Sequence, residues 1–148
     1  MSEKSLNLLG MMRKAGAIEI GETNTGTACK GGKAKLMILA SDASDNARKR
    51  AAQFVNGRKT ILIDAPYTKE EISSKVGAGG CSMAAITDLG FASAFVKGLA
   101  ETEPEKYTET AEMLAAKYDK RLFDAKKARQ TRRKDVKGKG RNNIWRWL

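Results

Sequence analysis

Three short, mainly apolar runs constrain this chain more than anything else in it: AKLMILA at 34–40, KTILIDA at 59–65 and SMAAIT at 82–87. Each has the length of a buried strand, and segments with helical spacing separate them. AIEI at 17–20 supplies a shorter strand ahead of them. Strands that are apolar throughout need cover, and helices alternating with such strands imply a layered α/β sandwich.

The intervening helices are marked by their ends. Residues 4–14 place Leu6, Leu8, Leu9 and Met12 at helical spacing, with Gly16 as the stop. Gly21 and the polar ETNT open a second helix, with Thr23, Asn24 and Thr25 as candidate caps and Gly31-Gly32 as its end. Ser44 or Asp45 can cap a third helix whose apolar face includes Ala47, Ala51, Phe54 and Val55. Thr68-x-x-Glu71 is a capping box for a short fourth helix, and Thr87 or Asp88 caps a fifth through DLGFASAFVKGLA. The sandwich is therefore expected over residues 1–100.

Past Pro104 the chain changes character. Good helix formers, acids early and bases late suit a long helix and its dipole, so residues 101–148 are expected to form a helical basic extension. Met113, Leu114, Tyr118, Leu122 and Phe123 make an apolar stripe expected to dock on the domain. The final DVKGKGRNNIWRWL, with its glycines and charge, is expected to be disordered until something binds it.

Charge separates the two parts. The chain holds 28 Lys and Arg against 17 Asp and Glu, a net charge of +11. Residues 1–116 carry 15 basic and 14 acidic groups, whereas 117–148 carry 13 and 3. Such a tail, interleaved with Tyr118, Phe123, Trp145 and Trp147, fits an RNA-binding extension, with Arg132, Arg133, Lys134, Trp145 and Trp147 as its candidate contacts.

Several chemistries are poorly supported. There is no histidine, which removes imidazole bases, Ser-His-Asp triads and the commonest metal ligand. GTACKGGKAK lacks the glycine and the Ser or Thr of a phosphate loop, at Thr27 and Ala34. GAGG at 77–80 precedes a strand instead of following one, so it is no dinucleotide fingerprint. Asp42, Asp45, Asp64 and Asp88 sit where capping is the ordinary role. No catalytic residue, metal or cofactor is assigned. Cys29 and Cys81 fit reduced thiols. No run of 18 apolar residues occurs and the start is too short in its apolar part for a signal peptide, so a cytoplasmic protein without a membrane partner is expected.

LLGMMRKAGAIEIG, GGKAKLMILASDAS and AAITDLGFASAF together resemble the kink-turn-binding ribosomal-protein family of the L-seven-Ae and L-thirty-e type, especially its small bacterial branch. The three blocks occur in order across residues 4–100. The resemblance implies a three-layer α/β/α sandwich around a mixed four-stranded sheet, with no enzymatic role. It also implies binding of RNA kink-turns or similar bent loops, ribosomal RNA among them, and ribosomal proteins as neighbours. In that family the helix start after the first strand enters the RNA groove and the loop before the last strand packs on an extruded nucleotide. Those elements correspond to residues 21–30 and about 77–83.

The candidate RNA contacts are accordingly Gly21, Glu22, Thr23, Asn24 and Thr27, with Lys30, Lys33 and Lys35 for nearby phosphates and Gly80, Cys81 and Ser82 in the second loop. The chain departs from the family pattern at this site. Aligned through Gly21 and Gly32, the family's Asn-acid pair falls on Thr23 and Asn24, and its RNA-contacting lysine falls on Thr27. A protein-interaction adaptor on the same fold, binding RNA only through its basic tail, is the alternative that this loss suggests.

Overall fold

The computed structural model describes residues 3–77, 79 and 82–147, with side chains described as far as Arg129. The elements run α1 (Glu3–Ala15), β1 (Ile18–Ile20), α2 (Glu22–Lys30), β2 (Leu36–Leu39), α3 (Asp45–Val55), β3 (Ile61–Asp64), α4 (Lys69–Val76), β4 (Met83–Ile86), α5 (Leu89–Thr102) and α6 (Pro104–Trp147). The strands form one mixed sheet in the order β1-β4-β2-β3, antiparallel except for the parallel β2–β3 pair.

Two central strands, LMIL and MAAI, are buried at every position. Their alternate side chains must therefore face two separate helix layers. Met37, Leu39, Met83 and Ala85 pack with Ala28, Cys29, Ala47 and Ala51 beneath α2 and α3. The opposite layer is α1, α4 and α5, where Leu9, Met12, Ile72, Phe95 and Leu99 are buried. The result is the three-layer sandwich.

The helix ends follow from local chemistry. Ser44 accepts from the Ala47 amide, Asp88 from the Phe91 amide, and Thr68 and Glu71 complete a reciprocal capping box. Asp42 reaches further, accepting from the Lys69 amide at the start of α4 at 2.9 Å. α2 differs from expectation: Gly21 is its N-cap, and no side chain caps it. The reason is geometric, because Thr23, Asn24 and Thr25 already lie inside the helix and cannot fold back on its first amides.

Chain contacts divide the protein into two compact units, Met1–Leu114 and Ala115–Leu148. The first unit thus extends beyond residue 100, since Tyr107 and Leu114 are both buried. Of the expected docking stripe only Leu114 is buried, while Met113, Leu122 and Phe123 are exposed. In the second unit the helical backbone reaches Trp147. No proline follows Pro104 to interrupt it.

Candidate nucleic-acid interface

The start of α2 is fixed from three directions. Gly21 has φ +88°, a conformation that L side chains rarely adopt, which allows the chain to leave β1 and turn directly into the helix. Its amide donates to the Met83 carbonyl at 3.3 Å, tying the helix start to the first residue of β4. Asn24 Nδ2 donates to the Ile20 carbonyl at 3.0 Å and braces the end of β1. The first intrahelical bond runs from the Thr25 amide to the Gly21 carbonyl, so the amides ahead of Thr25 have no intrahelical partner. With no capping side chain, they leave a rigid, electropositive helix end at the sheet edge.

Ser82 lies at the same edge, because its carbonyl accepts from Ala40 at the top of β2 and Met83 holds Gly21. Gly80 and Cys81, its expected companions, lie outside the described residues. The side chains of Arg132, Arg133, Lys134, Trp145 and Trp147 also lie outside them.

Thr23, Asn24, Thr27 and Lys30 are exposed along one ridge of α2, while Thr25, Gly26, Ala28 and Cys29 face inward. Thr27 Oγ1 donates to the Thr23 carbonyl at 3.0 Å, which leaves its oxygen available as an acceptor. The residue at the family's lysine position is therefore a short neutral group bonded back to its own helix.

The three lysines do not join the helix start. Lys35 donates its amide to Ile86, whose partner Ile18 begins β1, so it sits at the opposite sheet edge from Gly21. Lys30 ends α2 and Lys33 follows it, about 13 Å from the helix start for a nine-residue helix. One patch expected from sequence is thus two positions on one helix, joined by the Thr23–Thr27–Lys30 ridge.

Two shallow grooves flank that ridge, and Thr27 borders both. The groove towards β1 is lined by Glu19, Asn24, Thr27, Ala28, Gly31 and Lys33. The groove towards α3 is lined by Glu22, Thr23, Gly26, Thr27, Lys30 and Phe54. Here Glu22, at the positive end of α2, pairs with Arg50 of α3 at 2.7 Å. Arg50 and the surface role of Phe54 were not anticipated from sequence. The available signal was Gly26, a glycine inside a helix, which often marks a close approach by another group.

Little here suggests catalysis. No cluster of His, Cys, Asp or Glu able to hold a metal occurs among the described residues. The Cys29 thiol is buried, and burial pushes its pKa up against a smaller opposing effect of Arg58. A thiol so held is a poor nucleophile.

No family model matches the chain. A search of characterised proteins finds the RNA-binding protein YlxQ of Enterococcus faecium, 30% identical over 94 residues that make up 61% of this chain and 85% of YlxQ. Among solved structures, a protein of unknown function from Bacillus halodurans C superposes with a TM-score of 0.59 at 22% identity, covering 64% of this chain and 95% of that one. The structural likeness establishes the fold. The sequence identity, carried over most of the relative's length, goes further: the chain belongs to the same family as YlxQ, the L-seven-Ae type.

Proposed function

We propose that this protein is a non-enzymatic RNA-binding protein that recognises a bent internal loop, of the kink-turn kind, through the start of α2. The observation that carries the reading is the uncapped helix start at Gly21, held by both β1 and β4. Free amides at a helix N-terminus donate to phosphate oxygens, and Glu22, Thr23 and Asn24 beside them offer groups that can reach base edges. YlxQ's description as an RNA-binding protein supports the same reading. A ribosomal RNA segment is the ligand class that fits a family of this kind.

The second unit supplies a different contribution. Its 13 basic and 3 acidic residues favour any phosphate backbone and carry no sequence information of their own. The domain then selects by shape and the extension adds affinity.

The test is binding of the full chain to a kink-turn RNA and to a plain duplex of equal length. Asn24→Ala is expected to weaken the bent RNA by roughly 1 kcal/mol and leave the duplex unchanged. Equal affinity for both RNAs, unaffected by Asn24→Ala, would favour the adaptor reading, to which Thr27 at the lysine position lends its weight.

A further inference from the structure

The groove between α2 and α3 shares Glu22 and Thr23 with the helix start described above and continues from there to Lys30 and Phe54. Its floor is unusual. At Gly26 an added Cβ would stand 2.9 Å from Phe54 Cζ, so the ring lies directly against helix backbone with no side chain between them. Phe54 is only partly buried, although it packs against the core cluster, and it lines the groove. The groove encloses about 250 Å³, below the roughly 300–1,000 Å³ of pockets that take whole drug-sized ligands.

The rim has mixed polarity in a definite order. Lys30 stands at the far end of α2, Thr23 and Thr27 along its length, and the Glu22–Arg50 pair at the near end. Lys30 at one end suits a phosphate entering the groove, and the aromatic ring that lines it offers a stacking surface to a flat group. Glu22 would repel phosphate, but Arg50 at 2.7 Å offsets its charge and leaves the carboxylate as an acceptor for a base amine. Because Thr23 and Thr27 belong to both this groove and the ridge, a strand leaving the helix start enters it without a break.

We infer that the α2–α3 groove is a nucleotide subsite in which one unpaired base of the bound RNA stacks on Phe54, with a flanking phosphate at Lys30. This rests on the RNA-binding reading above and extends it to residues outside the helix start. Losing the stack is expected to weaken binding by about tenfold.

The experiment uses the full-length protein and an RNA hairpin with a three-nucleotide bulge beside tandem G·A pairs, carrying 5-iodouridine at each bulge position in turn. Irradiation joins iodouridine to an aromatic ring stacked on it. Trypsin releases Ala51–Arg58, in which Phe54 is the one aromatic residue, so an RNA adduct on that peptide reports the stack directly. An adduct there from one bulge position is the expected result. Phe54→Leu should then lose about tenfold in affinity for the bulged hairpin and nothing for a perfect duplex, and Phe54→Trp should restore it. If the hairpin binds and every adduct maps elsewhere, the subsite is refuted while the helix-start reading stands. If the hairpin fails to bind at all, the RNA-binding reading falls and the subsite with it. The wild-type adduct decides the matter even if Phe54→Leu does not fold.

Discussion

Tyr107→Phe removes one oxygen atom and has an effect whose sign should reverse with pH. Tyr107 is 1% exposed, and its hydroxyl donates to the Asp64 carbonyl at 2.5 Å, joining the start of α6 to the end of β3. Losing this one hydrogen bond should cost about 1 kcal/mol at neutral pH. The Tyr107 pKa is pushed up to about 12, first by burial and then by the Glu103 and Asp64 carboxylates. An unfolded tyrosine titrates near 10.

Below pH 10 both states keep the proton and the stability is unaffected. Between pH 10 and about 12 the unfolded chain loses it while the folded chain holds it, so stability falls by about 1.4 kcal/mol per pH unit, roughly 3 kcal/mol in all. Phenylalanine has no such loss. Wild type should therefore be the more stable protein at pH 8, the two should become equal slightly below pH 11, and the variant should lead beyond that. Urea denaturation of both proteins from pH 8 to 11.5 measures the difference, with the many lysines common to both. A gap that stays constant over the whole range, or a Tyr107 that titrates near 10 in ultraviolet difference spectra, would refute the reasoning.

Thr25 is fully buried and its hydroxyl has no hydrogen-bond partner among the described residues, so Thr25→Val should raise stability by about 1 kcal/mol in urea denaturation. A loss of that size would mean that the hydroxyl is satisfied. Gly26→Ala gains helix propensity but drives a methyl into the Phe54 ring, and a net loss of about 1–2 kcal/mol is expected in thermal or urea unfolding. A more stable variant would show that α2 and α3 are not closely packed there. Residues 1–114 should unfold cooperatively, whereas residues 1–100 lack Tyr107 and Leu114, a loss of about 3–6 kcal/mol of burial, and should be largely unfolded by circular dichroism.

The two central strands were readable from their apolar runs, whereas KTILIDA, expected to be buried, is the edge strand β3 with only Ile63 buried. LMIL and MAAI are buried on both faces, and an apolar run of that length between capped helices has few other places to go. Ser44, Asp88 and the Thr68–Glu71 box could be read as caps because each lies just before its helix. α2 resisted the same reading, since its polar start offered three candidates while the decisive residue was a glycine with positive φ. The extent of the first unit was hidden for a related reason: Tyr107 and Leu114 lie in a segment whose composition resembles the charged helix after it. The site was legible along α2 and not across to α3. Arg50 meets Glu22 from 28 residues away, and no periodicity within one helix reports the side chain that faces it from another.

Amide chemical-shift mapping of the full-length protein, titrated with a kink-turn RNA, reports whether the start of α2 meets the RNA. The largest changes are expected at Glu22, Thr23 and Asn24, where the helix amides lack intrahelical partners, with further changes at Thr27 and Ser82. Changes confined to residues 115–148, with the start of α2 unmoved at saturation, would contradict the proposed contact.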